Sequence, residues 1–127
     1  MKSLIAHLFG DYVLQTSWEA NEKTNSAVPA AVHAAKYAAC FVPLTRDWKK
    51  LALIGGTHYL IDRYRLAKYV AWAKNQAAPA AYRYPLDADA WNNGGYSTDT
   101  PVWLSTWLMI AADNAIHMLI NEIVLET

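Results

Sequence analysis

Four histidines and seven aspartates hold most of the chemistry available to this chain. Three of the histidines have an aspartate four residues away: His7 with Asp11, His58 with Asp62, and His117 with Asp113. Positions i and i+4 share one face of a helix, so each pair can present an imidazole and a carboxylate to a single point. The fourth, His33, lies in an alanine-rich stretch. Imidazole nitrogen with carboxylate oxygen suits zinc, manganese or iron. Helical bundles build dinuclear centres from such side chains projecting inward from several helices. Two ions about 4 Å apart would activate a water and stabilise an in-line displacement at phosphorus. All three pairs sit in apolar surroundings (LIAHLFGDYVL, GTHYLIDRYRL, IAADNAIHMLI), which solvated surface pairs do not need. The competing reading is a polar network in which these buried groups satisfy one another and fix helix register.

The elements that must position these residues are helical. Leu4, Ile5, Leu8 and Tyr12 recur at helical spacing, which predicts a first helix over residues 2–15, with Gly10 allowing a close neighbour. Residues 16–26 are polar and predict a short helix or connection. Ser26 as cap and Pro29 in the first turn open a second helix that runs to about Val42 and stops near Pro43. Asp47 is the candidate cap of a third helix from Trp48 to Asn75, bent or tightened at Gly55-Gly56. Residues 76–100 form one long irregular segment of the kind that is usually functional or mobile. A last helix follows from Thr100 or Pro101 to Leu125. The expected fold is a single all-α domain over residues 1–127, a compact bundle of four to five helices with one long loop before the last.

Composition narrows the classes. The 127 residues are 54% hydrophobic and only 17% charged, below the usual quarter for soluble proteins. Eleven basic residues balance eleven acidic ones, so no footprint for duplex nucleic acid appears. The single cysteine, Cys40, excludes an internal disulfide framework and reads as a small buried thiol; no cysteine ligand set exists for a closed structural zinc site. The opening MKSLIAHLFGD is broken by His7 and Asp11, and reads as the first helix rather than a signal peptide. Residues 101–121 are long and apolar enough for a membrane span, but carry Asp113, Asn114 and His117, which would face a bundle interior. Six tryptophans lie largely near predicted helix ends, where a lipid interface, a core or a partner surface would equally place them. Arg63 and Arg65, beside Asp62, are candidates to grip a phosphate or are simply surface charges.

Three segments carry a resemblance: HLFGDYVLQT at 7–16, HYLIDRYRL at 58–66 and WLSTWLMIAADNAIHMLIN at 103–121. Together they resemble a family of small bacterial and tailed-phage proteins known only as domain-of-unknown-function family 3307. That resemblance implies membrane association and supplies no activity. A looser likeness runs to membrane-bound metal-dependent hydrolases and to helical zinc phospholipases C and single-strand nucleases. It implies a site of His7, Asp11, His33, His58, Asp62, Asp113 and His117, and hydrolysis of phosphoesters; this chain is shorter and has fewer histidines than those proteins.

The expectation is therefore a metal-dependent phosphoester hydrolase with these seven residues as ligands to divalent ions, zinc first and manganese or iron as alternatives. His33 and Asp62 are the candidate catalytic residues, His33 as ligand or general acid, and residues 76–100 would cover the substrate. Expected partners are a phosphoester small molecule or lipid, a membrane, and further copies of the chain. The expected location is cytoplasmic or at a bacterial inner membrane. The alternative is a non-enzymatic membrane-associated or host-interaction protein whose His/Asp cluster is structural.

Overall fold

The structure, a computed structural model, describes residues 1–127. It is all-α, without a strand, and its seven α-helices fall into two compact units. The first unit comprises residues 1–64 and 117–127, the second residues 65–116.

In the first unit, α1 (Lys2–Leu8) passes directly into a π-helical turn, Phe9–Val13, closed by the bond from Leu14 N to Phe9 O at 3.0 Å. Helices α2 (Ser17–Glu22), α3 (Ala27–Ala39) and α4 (Trp48–Arg63) follow. The unit closes with the last turns of α7 (Val102–Glu126). Local chemistry sets the helix starts. Thr16 and Glu19 form a capping box on α2: Glu19 N donates to Thr16 Oγ1 at 3.3 Å and Thr16 N to Glu19 Oε2 at 2.7 Å. Asp47 caps α4 by accepting from Lys49 N at 2.9 Å. Ser26 precedes α3 as expected but makes no side-chain cap bond.

Tyr37, Phe41 and Ile54 are fully buried and form the apolar centre with Ala6 and Val124; Leu44, Leu51, Ile120 and Leu125 pack around it. Small residues bring the helices close. A Cβ on Gly55 of α4 would lie 3.1 Å from Ala38 Cβ and 3.4 Å from Ala34 O of α3. Gly56 faces open space, so the close approach belongs to Gly55 alone. Polar clasps finish the unit: Ser3 Oγ donates to Glu122, and Lys50 Nζ caps the end of α7 at Leu125 O, 3.0 Å away.

The second unit holds α5 (Leu66–Asn75), a 3-10 turn at Ala80–Tyr82, α6 (Ala88–Asn92) and the first part of α7. The expected single helix from Trp48 to Asn75 is two helices. The break falls at Arg65, whose backbone is left-handed (φ 52°, ψ 46°), and not at the glycine pair, which stays helical. Residues 76–100 are likewise less irregular than their composition suggests. Their backbone carbonyls are taken up by side chains: Trp72 Nε1 donates to Tyr84 O at 3.0 Å, Lys68 Nζ to Trp91 O at 2.9 Å, and Asn93 Nδ2 to Ser97 O at 2.8 Å and Thr100 O at 3.0 Å. Gly95 adopts φ 87°, and a Cβ there would strike Lys68 O at 2.2 Å, so only glycine fits. The short α2 and α6 and the break at Arg65 account for the higher helix count. By length and composition α7 could cross a membrane; 11% of its most apolar window is buried.

Glu19 supplies a test of the first unit. Its side chain is fully buried, and Lys36 Nζ lies 2.9 Å from Oε1. Burial alone would raise the carboxyl pKa. The hydrogen bonds from Thr16 and the Lys36 ammonium outweigh it and hold the value at about 2. A depressed folded pKa stabilises at pH above the unfolded value, and that stabilisation is lost as pH falls from 4.5 through about 2. Glu19→Gln keeps the capping geometry but removes the charge. It should lower stability at neutral pH by about 1–3 kcal/mol and flatten the acid limb between those pH values, measured by urea unfolding against pH. Parallel curves for the two proteins would contradict this.

Candidate metal centre

Six of the seven candidate ligands belong to the first unit, delivered by five elements: His7 by α1, Asp11 by the π-turn, His33 by α3, His58 and Asp62 by α4, and His117 by α7. The four imidazoles are buried, at 0–2% exposure. Asp62 is buried too, and Asp11 keeps 11% side-chain exposure. Asp113 precedes His117 by one turn on α7 but falls in the second unit.

Contacts across helices outnumber the expected contacts along them. Asp11 lies on the π-turn and keeps a contact with His7 through one oxygen while the other reaches the opposite helices. Its Oδ2 is 3.5 Å from His7 Nδ1, while Oδ1 reaches 3.4 Å from His33 Nε2 and 3.3 Å from His58 Nε2. Those two nitrogens are 2.9 Å apart. Asp62 Oδ2 is 3.3 Å from each of them, and Asp62 Oδ1 is 3.2 Å from His117 Nε2. The His33–His58 edge is thus shared by two triangles, one completed by Asp11 and the other by Asp62. Of the three pairs seen in the sequence, His7 with Asp11 at 3.5 Å and His58 with Asp62 at 3.3 Å keep their four-residue contacts within this unit.

The protons can be assigned from the partners. An ionised carboxylate only accepts, so His117 Nε2–H donates to Asp62 Oδ1. His117 Nδ1 is then an acceptor and takes the Nδ1–H of His58, 3.3 Å away. That leaves His58 Nε2 as a lone pair pointing at His33 Nε2, Asp11 Oδ1 and Asp62 Oδ2. On the other side, Asn121 Nδ2 donates to Tyr37 Oη at 2.6 Å, and Tyr37 Oη is hydrogen-bonded to His7 Nδ1 at 2.7 Å. The Tyr37 ring stacks on His58 at 3.6 Å, 11° from parallel.

Electrostatics follow this arrangement. Burial would raise the Asp62 carboxyl, but the imidazoles of His117, His33 and His58 outweigh it and hold it well below the carboxylate range. Asp11 is likewise lowered against its burial by His33 and His58. Burial pushes the His58 imidazole down. His33 would also be lowered by burial, yet Asp11 and Asp62 carry it above its ordinary value. One cation is already present: Lys23 Nζ contacts Asp62 Oδ2 at 2.6 Å. Asp11 Oδ1, by contrast, is buried with no hydrogen bond.

This geometry fits a divalent ion. An ion with bonds of about 2.0–2.2 Å needs donor atoms about 3.3 Å apart if four-coordinate and about 3.0 Å if six-coordinate. The edges 2.9, 3.3 and 3.4 Å of the His33–His58–Asp11 triangle span those values. Two ligand groups within this unit, Asp11 with His58 and His117, and His33 with His58 and Asp62, bring their donor atoms within 4.8 Å of one another.

Tyr37, Asn121 and Lys23 are parts of the site that lie outside the histidine–aspartate pattern. Tyr37 follows His33 by four residues and Asn121 follows His117 by four, so the same spacing, widened beyond aspartate, identifies both. Nothing local in the sequence marks Lys23. Arg63 is engaged elsewhere: Nη1 donates to Thr24 O and Nη2 to Asn25 O at 3.5 Å, so it binds the turn before α3.

Gly10 sets how closely the π-turn can approach α3. A Cβ there would lie 2.7 Å from Tyr37 Cδ2 and 3.2 Å from Tyr37 Cα. The ring is fully buried and stacked on His58, and cannot yield. Gly10→Ala should destabilise the fold by about 1–3 kcal/mol, read from the urea midpoint. An unchanged or higher midpoint would show that the packing is looser than these distances require.

A family model described as "Protein of unknown function (DUF3307)" matches residues 1–87, a span that contains His7, Asp11, His33, His58 and Asp62 but not Asp113 or His117. No curated protein and no solved structure matches the chain.

Proposed function

The chain belongs to the DUF3307 family, and from that premise we propose that it binds a divalent metal ion through His33 Nε2, His58 Nε2 and Asp11 Oδ1. One observation carries the reading: a buried carboxylate oxygen without a hydrogen bond lies 3.3 and 3.4 Å from two imidazole nitrogens that are themselves 2.9 Å apart. Even with a proton on His33 Nε2, that convergence holds more lone pairs than protons, and an ion satisfies them together. The mixed nitrogen and oxygen donor set favours zinc, with manganese or iron as alternatives. The hydrogen-bond chain Asp62–His117–His58 supports the role of His58, because it fixes the tautomer that leaves Nε2 free to ligate.

Hydrolysis of a phosphoester, on a small molecule or lipid, is the finer form of this proposal. A bound ion would supply Lewis acidity at a phosphoester oxygen. His33, as a ligand through Nε2, would not then serve as general acid at that nitrogen. The reaction also asks for an entrance, and the cluster side chains with the most exposure are Lys23 at 19% and Asp11 at 11%.

A second reading, a non-enzymatic membrane-associated protein, draws on a separate observation. Trp103 and Trp107 are each 67% exposed, which suits a lipid-facing surface on the first part of α7. In that reading the cluster is a polar network that sets helix register.

Elemental analysis after zinc loading and desalting separates the readings. The wild type should retain one equivalent of zinc, and Asp11→Asn should lose affinity by more than about 100-fold, beyond the effect of an outer-shell partner. A wild type that retains no stoichiometric metal, or an Asp11→Asn variant that binds as well, would overturn the metal centre. Turnover of bis(p-nitrophenyl) phosphate that requires both zinc and Asp11 would support hydrolysis. Full zinc loading without turnover of this or a phospholipid substrate would retire hydrolysis and keep the centre.

A further inference from the structure

The second unit holds a cleft of about 290 Å³ formed by its own residues alone. The end of α5, the 3-10 turn and the segment before α7 line it, and Tyr82, Arg83, Tyr84, Tyr96 and Asp99 carry its chemistry. We infer that this cleft binds a single sugar ring. The inference is independent of the metal reading, because no candidate ligand lines the cleft.

The walls are built rather than loose. Arg83 Nε donates to Ala78 O at 2.8 Å, Trp72 Nε1 to Tyr84 O at 3.0 Å, and Tyr84 Oη to Gly95 O at 2.8 Å. Side-chain bonds thus fix the backbone on both sides of the cleft, and binding would not have to order it. The lining is also balanced. The charges of Arg83 and Asp99 cancel, so the cleft favours neither an anion nor a cation. It combines aromatic rings with a strong donor and a strong acceptor, which suits an uncharged, hydroxyl-rich ring. The C–H face of a pyranose is drawn to the negative face of an aromatic ring, while its hydroxyls accept from Arg83 and donate to Asp99. Small-molecule sites run from about 300 to 1,000 Å³, so this volume suits one ring rather than an oligosaccharide or a lipid chain. Tyr96 points to an occupant: it is 5% exposed, and its hydroxyl has no hydrogen bond. Buried hydroxyls are normally paired, and a sugar hydroxyl, which both donates and accepts, matches a phenol in either role. Tyr82 is the opposite case. It is 74% exposed at the end of the 3-10 turn, an aromatic platform open to a ligand.

Saturation-transfer NMR on the 127-residue protein tests this. The probes are the methyl glycosides of glucose, galactose, mannose and N-acetylglucosamine, with adenosine as the flat aromatic alternative, each at millimolar concentration. At least one glycoside should receive saturation at its ring protons. Tyr82→Ala should abolish that transfer and Tyr82→Phe, which keeps the ring, should retain it. Asp99→Ala should weaken binding about 10-fold or more, through loss of a hydrogen bond to a charged acceptor. Tyr82 and Asp99 are both exposed, so these variants should keep the wild-type circular dichroism spectrum. Transfer to none of the glycosides, equal transfer in Tyr82→Ala, or transfer to adenosine alone would overturn the inference and leave the metal centre untouched.

Discussion

Lone pairs converge in the first unit, and that convergence sets the terms for everything around it. Two ionised carboxylates and the Nε2 atoms of His33 and His58 share a dry space, with separations of 2.9–3.4 Å. Such groups repel unless a cation or a shared proton lies among them. Asp62 meets the requirement with Lys23 and His117. Asp11 does not, and the demand for a cation is therefore concentrated on its side. The same Asp62 carboxylate, by accepting from His117, dictates through His58 Nδ1 which nitrogen of His58 presents its lone pair.

Holding those groups together demands close backbone approach, which small residues provide. Gly55 lets α4 lie against Ala34 and Ala38 of α3, and His58, one turn further on, meets His33 as a result. Gly10 lets the π-turn lie against Tyr37, whose ring stacks on His58 and whose hydroxyl is hydrogen-bonded to both Asn121 and His7. From the π-turn Asp11 reaches His7 with one oxygen and the opposite helices with the other, a placement that fits the frequent occurrence of such turns at functional sites.

Much of this was legible in the residues. The helical period predicted the elements that carry the histidines, and the start at Asp47 followed from capping chemistry, whereas Ser26 opens α3 without a cap bond. The four-residue spacing of histidine and aspartate pointed to the right side chains for a less complete reason, because it anticipated pairing along helices. Contacts such as Asp11 with His33 and His58, or Asp62 with His117, join residues far apart in sequence and depend on which helix faces which, and no local pattern encodes that. Lys23 was invisible for the same reason: a lysine at the end of a short polar helix looks like a solvated charge until α4 is placed beside it. The break at Arg65 was missed because a left-handed arginine has no compositional signal, whereas Gly55-Gly56 has one and stays helical. Residues 76–100 looked irregular because their order comes from side chains bonding to backbone carbonyls rather than from period.

The metal centre is tested most directly by zinc K-edge X-ray absorption on stoichiometrically loaded protein. Ligation by His33, His58 and Asp11 predicts a shell of nitrogen and oxygen alone at about 2.0–2.1 Å, with the outer-shell scattering of two imidazole rings. A spectrum without imidazole scattering, or with a sulfur ligand, would place the zinc elsewhere and contradict the account.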